Sequence, residues 1–315
     1  MSNHFVPAIV MANVSVIKSI KVKRLSTPLL TMAAAFTLVG CSNSQDSADD
    51  VDATAAETTS ASESGEVLRI GTEGAYAPFN YTNADGTLGG FDVDMANAIC
   101  ADMQVTCEIT AQDWDGIIPG LKAGKYDAIV AAMSITPERA QQVSFTDPYF
   151  SNTLVFLAKK DSSFDPSQSS DINAHSIAAQ RSTISSQWLE DAYPKANMKL
   201  YDTLSNAFLD LGSGRVDAMI SDKLPALEWL SSPSGSGYVI KGDEIDIDDN
   251  FAIAVRPGDD LQAKINQSLA NLKADGTYDK LNQKYFAMPA AETVTDNEVT
   301  STVVIDEPIA DTAAQ

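Results

Sequence analysis

The chain has 315 residues, 44% of them hydrophobic, and a formal net charge of −22. That length suits one large or two medium domains, with room for a sizeable core. The acidity argues against nucleic acid and against adhesion to anionic membrane surfaces.

The charge is unevenly placed. Residues 1–40 carry four bases (Lys18, Lys21, Lys23, Arg24) and no acids, whereas 41–66 carry seven acids and 288–315 six, both without a base. The bases at 18–24 precede a mostly apolar stretch, 29–39, that is too short to span a membrane as a mature helix. It ends in Leu38-Val39-Gly40-Cys41, and a small residue before a cysteine after such a run resembles a bacterial lipoprotein signal. Cleavage before Cys41 and acylation of its thiol are expected. The Ser, Asp, Ala, Thr and Glu of 42–66 cannot bury a core and read as a disordered tether.

From residue 67 strands and helices alternate. Strand 67–72 is followed by a loop at 74–78, a hairpin turn at Asn83-Ala84-Asp85-Gly86, an amphipathic helix 91–103, a strand 105–110 and a helix 114–123. The apolar run 128–133 reads as a buried strand. Thr136 then suits a helix N-cap, Pro137 the first helical position and Glu138 the positive end of the dipole. Arg139 in that first turn offers a fork that fits a carboxylate, and Ser134 a hydroxyl beside it. A strand end meeting a helix start is where open α/β sheets bind ligands, although an ordinary junction with a surface arginine would look the same. After a loop at 145–149 come strands 153–158, 176–179, 198–201, 216–221, 238–240 and 251–255. Helices are expected at 182–193, 203–211, 222–230, 259–273 and 278–286, and the tail from 288 is acidic and of low complexity. This alternation predicts parallel or mixed sheets covered on both faces by helices. Cys100 and Cys107 stand seven apart in an exported chain and are expected to pair. Neither histidine has a metal-ligand partner at useful spacing, and no P-loop, Ser-His-Asp set or dinucleotide fingerprint is present.

Six stretches, in order over about 67–287, resemble one family. They are Gly71-Thr72-Glu73-Gly74-Ala75-Tyr76-Ala77-Pro78-Phe79, Gly90-Phe91-Asp92-Val93-Asp94, Trp114-Asp115-Gly116-Ile117-Ile118-Pro119, Ser134-Ile135-Thr136 with Arg139, Phe145-Thr146-Asp147-Pro148-Tyr149, and Asp275-Gly276-Thr277-Tyr278. Together they look like the polar amino-acid substrate-binding proteins of bacterial ABC importers (solute-binding protein family 3), and within these like the lysine/arginine/ornithine- and histidine-binding branch. The resemblance implies an α/β, two-lobed periplasmic binding protein fold (type II) with two hinge strands. It divides the chain into a lipoprotein signal peptide (1–40), a tether (41–66), lobe one (67–153 and 252–287), lobe two with a hinge strand (154–251) and a disordered acidic tail (288–315).

It also implies a site without catalytic residues, metal or cofactor. Arg139 and the Thr183 N–H would hold a ligand carboxylate. Asp222, the Ser134 hydroxyl and the Ala132 carbonyl would hold the α-ammonium. Tyr76 and Trp114 would sandwich the side chain, and Glu73 would meet its distal charge. The implied ligand is a basic L-amino acid (arginine, lysine, ornithine or histidine), and the implied partners are an ABC permease and its ATPase. The protein would be a periplasmic or extracytoplasmic monomer, touching the membrane only through its lipid. Taken singly, Asp222 reads as a helix N-cap, Trp114 as core, Tyr76 as a surface aromatic and Glu73 as an exposed loop acid. The branch has aspartate where Glu73 stands and serine where Ala131 and Ala132 stand, and a small residue is common where Arg181 stands. Two other readings use the same fold: a periplasmic enzyme similar to cyclohexadienyl dehydratases, with Glu73 as general acid, and a sensor domain.

Overall fold

A computed structural model describes residues 65–286; the predicted signal, tether and tail lie outside them. The described chain opens with β1 (Val67–Thr72). Three short strands follow, β2 (Ala75–Tyr76), β3 (Asn80–Thr82) and β4 (Leu88–Gly89), in a small antiparallel sheet around the predicted turn. Then come α1 (Phe91–Asp102), β5 (Thr106–Ala111), α2 (Trp114–Lys122), β6 (Ala128–Ile129), α3 (Pro137–Ala140) and β7 (Ser144–Phe145). β8 (Phe150–Lys159) enters a second lobe built from α4 (Ser169–Ala174), β9 (Ser176–Gln180), α5 (Ile184–Ala192), β10 (Asn197–Tyr201), α6 (Leu204–Gly212), β11 (Ala218–Asp222), α7 (Lys223–Ser231) and β12 (Tyr238–Phe251). The chain returns to the first lobe with β13 (Ala254–Val255), α8 (Leu261–Ala274) and α9 (Thr277–Phe286).

Each lobe holds a mixed five-stranded sheet, ordered β5-β1-β6-β13-β7 in the first and β10-β9-β11-β8-β12 in the second. In the first, β1 is parallel to β5 and β6, and β13 is antiparallel to both its neighbours. In the second, β9 is parallel to β10 and β11, and β8 is antiparallel to β11 and β12. The chain leaves the first sheet after Phe145 and returns to it at Ala254, and the two crossing segments pair through Ser151 with Asn250 and Phe150 with Phe251. Residues 154–158 lie within the second sheet, paired to β11.

Central strands are buried on both faces, so alternate side chains feed different cores. In β8, Val155 and Leu157 pack in the cluster with Leu204, Phe208 and Leu211 of α6. Leu154, Phe156 and Ala158 face Ile172 of α4 and Leu189 of α5. Where the chain crosses, Phe79 meets Phe150 and Phe251 edge-on, with centroids 5.2 and 5.4 Å apart. Cys100 of α1 and Cys107 of β5 are joined by the expected disulfide.

Three local expectations are corrected. The run 128–133 is buried throughout, its residues feeding two cores in alternation, but only Ala128 and Ile129 pair in the sheet. Ala132 turns to φ 45°, a left-handed conformation that costs a non-glycine residue about 1–2 kcal/mol. It is held there by Tyr149, whose hydroxyl accepts the Ala132 N–H at 3.1 Å and donates to the buried Asp92 at 2.8 Å. The helix opened by Thr136 and Pro137 runs only one turn. The separate strands expected at 238–240 and from 251 are joined by one fourteen-residue strand, β12, with irregular register at Lys241–Ile245 and Ile245–Asp249.

Candidate functional site

Two walls face each other across the space between the lobes. On the first, β1 ends at Thr72 and hands the chain to Glu73, and a left-handed Gly74 (φ 77°) turns it into β2 with Tyr76. Trp114 is the first residue of α2. Beyond β6, Ala132 redirects the chain to Ser134, and the Thr136 hydroxyl caps α3 by accepting the Arg139 N–H at 3.2 Å. On the second wall, β9 ends at Gln180, and Ser182, at φ 60°, turns the chain into α5. Thr183 caps α5 in a reciprocal pair with Ser186. β11 ends at Asp222, the N-cap position of α7. Gln180 and Asp222 thus sit at the carboxyl ends of β9 and β11, as ligand sites in open α/β sheets do.

All eight residues predicted to touch the ligand (Glu73, Tyr76, Trp114, Ala132, Ser134, Arg139, Thr183 and Asp222) line one cavity, completed by Ala131, Gln180 and Ile184. Its empty volume, including the part open to solvent, is about 280 Å³. The walls are bonded to each other. Arg139 Nη2 and Trp114 Nε1 both donate to the Ser182 carbonyl, at 2.9 and 3.1 Å. Gln180 Nε2 donates to Glu73 at 2.6 Å, and the Tyr76 hydroxyl donates to Asp222. Arg139 Nη1 donates to the Ser134 carbonyl at 2.8 Å, and its guanidinium lies 5.1 Å from the centre of the Trp114 ring. Arg181 turns elsewhere, pairing with Asp202 and reaching Asp115 at 3.7 Å.

Asp222 occupies an N-cap position but makes no capping bond; its carboxylate takes Tyr76 and Ser185 Oγ (3.4 Å) instead. Glu73 is 7% exposed, so it is no surface acid, and Tyr76 is buried as well. Trp114 borders the core around Ile117, yet its indole N–H is spent across the cleft. The Thr183 N–H already donates to Ser186 Oγ at 3.2 Å, so it would have to leave that partner to serve a ligand.

Burial dominates the electrostatics. It pushes the Glu73 carboxyl up to about 7 against the pull of the Gln180 amide, with Asp113 and Asp115 adding to the rise. It lifts Asp222 to about 6 against the Tyr76 hydrogen bond, with Asp249 adding to the rise. It also lowers the Arg139 guanidinium from its ordinary value, countered first by Asp249 and then by Asp222.

Asp249 was missed by the sequence reading. It is 6% exposed, accepts from Ser134 Oγ at 3.2 Å and Asn152 Nδ2 at 2.8 Å, and its carboxyl is raised by burial. It sits in an acidic run, 243–249, that looks like surface loop. The signal was the alternation Ile245-Asp246-Ile247-Asp248-Asp249-Asn250-Phe251, which places 249 in phase with the half-buried isoleucines and Phe251. Among the described residues, no group of three or more His, Cys, Asp or Glu is arranged to hold a metal ion, and no helix is long and apolar enough to cross a membrane.

Known proteins share this architecture. The ABC transporter arginine-binding protein 1 of Escherichia coli (strain K12) is 38% identical over 224 residues, covering 70% of this chain and 91% of that protein. The lysine/arginine/ornithine-binding periplasmic protein of the same strain is 36% identical over 228 residues, covering 70% and 88%. A solved structure of an ancestral arginine-binding protein bound to arginine superposes with a TM-score of 0.67 at 38% identity, over 71% of this chain and 99% of that one. The family model of the bacterial extracellular solute-binding proteins, family 3, matches residues 68–288, and this chain belongs to that family.

Proposed function

We propose that the protein is an extracytoplasmic receptor that captures a basic L-amino acid between its lobes and delivers it to an ABC importer. Charge carries the reading. The cavity offers one guanidinium, Arg139, against two buried carboxylates, Glu73 and Asp222, which complements a ligand with one carboxylate and two cationic groups. Arg139 takes the carboxylate, joined by the Thr183 N–H once it leaves Ser186. Asp222, Ser134 Oγ and the Ala132 carbonyl take the α-ammonium. Tyr76 and Trp114 flank the aliphatic stem, and Glu73 faces the distal cation. Contacts drawn from both walls make binding favour the closed arrangement. The arginine- and lysine/arginine/ornithine-binding relatives support the same ligand class.

A thermal-shift panel of the twenty amino acids plus ornithine tests this. A ligand at 100 times its dissociation constant adds about 2.7 kcal/mol of stability. Arginine, lysine, ornithine or histidine is expected to give the largest shift, and a larger shift from glutamine or glutamate would overturn the assignment. One observation favours an enzyme on the same fold: a carboxyl held near 7, as in Glu73, is a proton donor at neutral pH. Release of phenylpyruvate from prephenate would establish that reading, and none is expected.

The receptor is a monomer tethered by a lipid on Cys41, with 41–66 as spacer, and its transport partners are a permease and its ATPase. Cys41→Ser is expected to release the protein from membranes. A variant that stays membrane-bound would disprove the anchor.

A further inference from the structure

Gln180 has no role in the reading above, yet it lines the same cavity. It is 1% exposed, at the end of β9. Its Nε2 donates to Glu73 Oε1 at 2.6 Å and lies 3.4 Å from the Asp202 carbonyl. The Asp202 carbonyl can only accept, as does Glu73 in the ionised form that meets a cationic ligand, and this fixes the amide. Turned by half a rotation, its oxygen would stand against a carboxylate and a carbonyl. Oε1 is therefore the atom left over. It is buried and has no hydrogen-bond partner among the described residues. Buried amide oxygens are nearly always paired, so one left open beside a buried carboxylate in a ligand cavity calls for a donor from the ligand. Glu73 has a second oxygen, Oε2, that accepts no hydrogen bond within the described protein.

We propose that Gln180 Oε1 and Glu73 together read a planar guanidinium, making the site selective for arginine over lysine and ornithine. The proposal rests on the basic-amino-acid reading and narrows it. A guanidinium presents five N–H donors in one rigid plane and can donate to a carboxylate and a neighbouring amide oxygen at once. A primary ammonium is a compact, strongly hydrated point charge with tetrahedral donors; two acceptors leave one N–H unpaired in a dry site. Glu73 comes from the first lobe and Gln180 from the second, so this pair exists only when the lobes meet. It reports the ligand's distal end at the moment of closure.

Calorimetry with arginine, lysine and ornithine on the wild type and on Gln180→Met tests it. Methionine keeps the length and removes the amide. Wild type is expected to bind arginine at least about tenfold more tightly than lysine or ornithine. Gln180→Met is expected to weaken arginine by about tenfold while changing lysine by less than about threefold, so that the preference collapses. Equal losses for arginine and lysine would mean that Gln180 only supports Glu73, and would overturn the proposal. So would an unchanged preference in the variant. Should the variant not fold, the wild type decides alone: lysine or ornithine bound as tightly as arginine overturns the proposal and leaves the basic-ligand reading standing. A wild type that binds no basic amino acid removes both.

Discussion

Tyr76 donates its phenolic proton to the carboxylate of Asp222, joining β2 of the first lobe to the N-cap position of α7 in the second. Burial and that carboxylate hold the phenol well above its ordinary pKa, so the proton stays on the tyrosine. Tyr76→Phe removes the strongest hydrogen bond to Asp222 and leaves it with Ser185 Oγ at 3.4 Å and the neighbouring Asn152 amide. A buried charge that loses a hydrogen bond costs about 1.5–3 kcal/mol, and each kcal/mol lowers Tm by about 2–4 °C at this size. Thermal unfolding of the ligand-free variant is expected to show that fall, and saturating arginine to narrow it, because the ligand ammonium supplies a new partner. An unchanged Tm would mean the bond adds nothing to the closed form.

Affinity is expected to depend on pH. Glu73 (about 7) and Asp222 (about 6) both lie above their ordinary, unfolded-state values, so ionising them destabilises the ligand-free fold. Their neutral forms favour the fold most below about pH 4, and that advantage is lost as pH rises towards 7. A cationic ligand needs both ionised, so binding at pH 6 releases protons. Affinity for arginine should therefore rise from pH 5 and level off above about 7, the upper of the two values. Titration at pH 6 in buffers of different ionisation enthalpy reads the proton directly; heat that does not vary with buffer would contradict the linkage.

Asp249 should matter through Ser134. Its carboxylate takes the hydroxyl proton of Ser134 and an N–H of Asn152. The Ser134 oxygen is then left as an acceptor for the proposed ammonium contact. Asp249→Ala frees the hydroxyl and is expected to weaken arginine about tenfold. In a Ser134→Ala background the same substitution should cost nothing further in affinity, and a double-mutant cycle by calorimetry measures the difference. Purely additive losses would place the effect elsewhere.

The disulfide should be a matter of stability alone. Cys100 and Cys107 close a small loop at the α1–β5 edge, and neither lines the cavity. Replacing both by alanine is expected to cost at most about 3 kcal/mol in chemical denaturation and to leave the arginine dissociation constant unchanged. A change in affinity would couple this edge to the cleft.

Much of the fold was legible because its signals are local. The period of the apolar residues marked α1, Thr136 with Pro137 marked the start of α3, and the helices expected from 182 and 203 begin within two residues of those positions. The ligand candidates came from an ordered set of motifs, and the cavity brings them together. What stayed hidden depends on tertiary contacts. Nothing near Ala132 foretells its left-handed backbone, which rests on the Tyr149–Asp92 pair seventeen and forty residues away. The acids of β12 masked its alternation, so 241–250 was assigned to no element and Asp249 to no site. Gln180 stands just before the turn that opens α5, and its importance lies in an oxygen that no neighbour among the described residues satisfies, which no local signal foretells.

The Ser182 carbonyl, which receives both Arg139 and Trp114, has an evolutionary consequence. Main-chain oxygen is the same atom in every residue, so this latch is blind to what side chain stands at 182. Drift there is filtered only by backbone shape: at φ 60°, glycine, asparagine or aspartate would keep the turn, and a β-branched residue would disturb it. The donors have no such freedom, since no other side chain reproduces the indole N–H or the guanidinium fork. Selection on this contact therefore falls on one side of the cleft, and its other half is inherited with the fold.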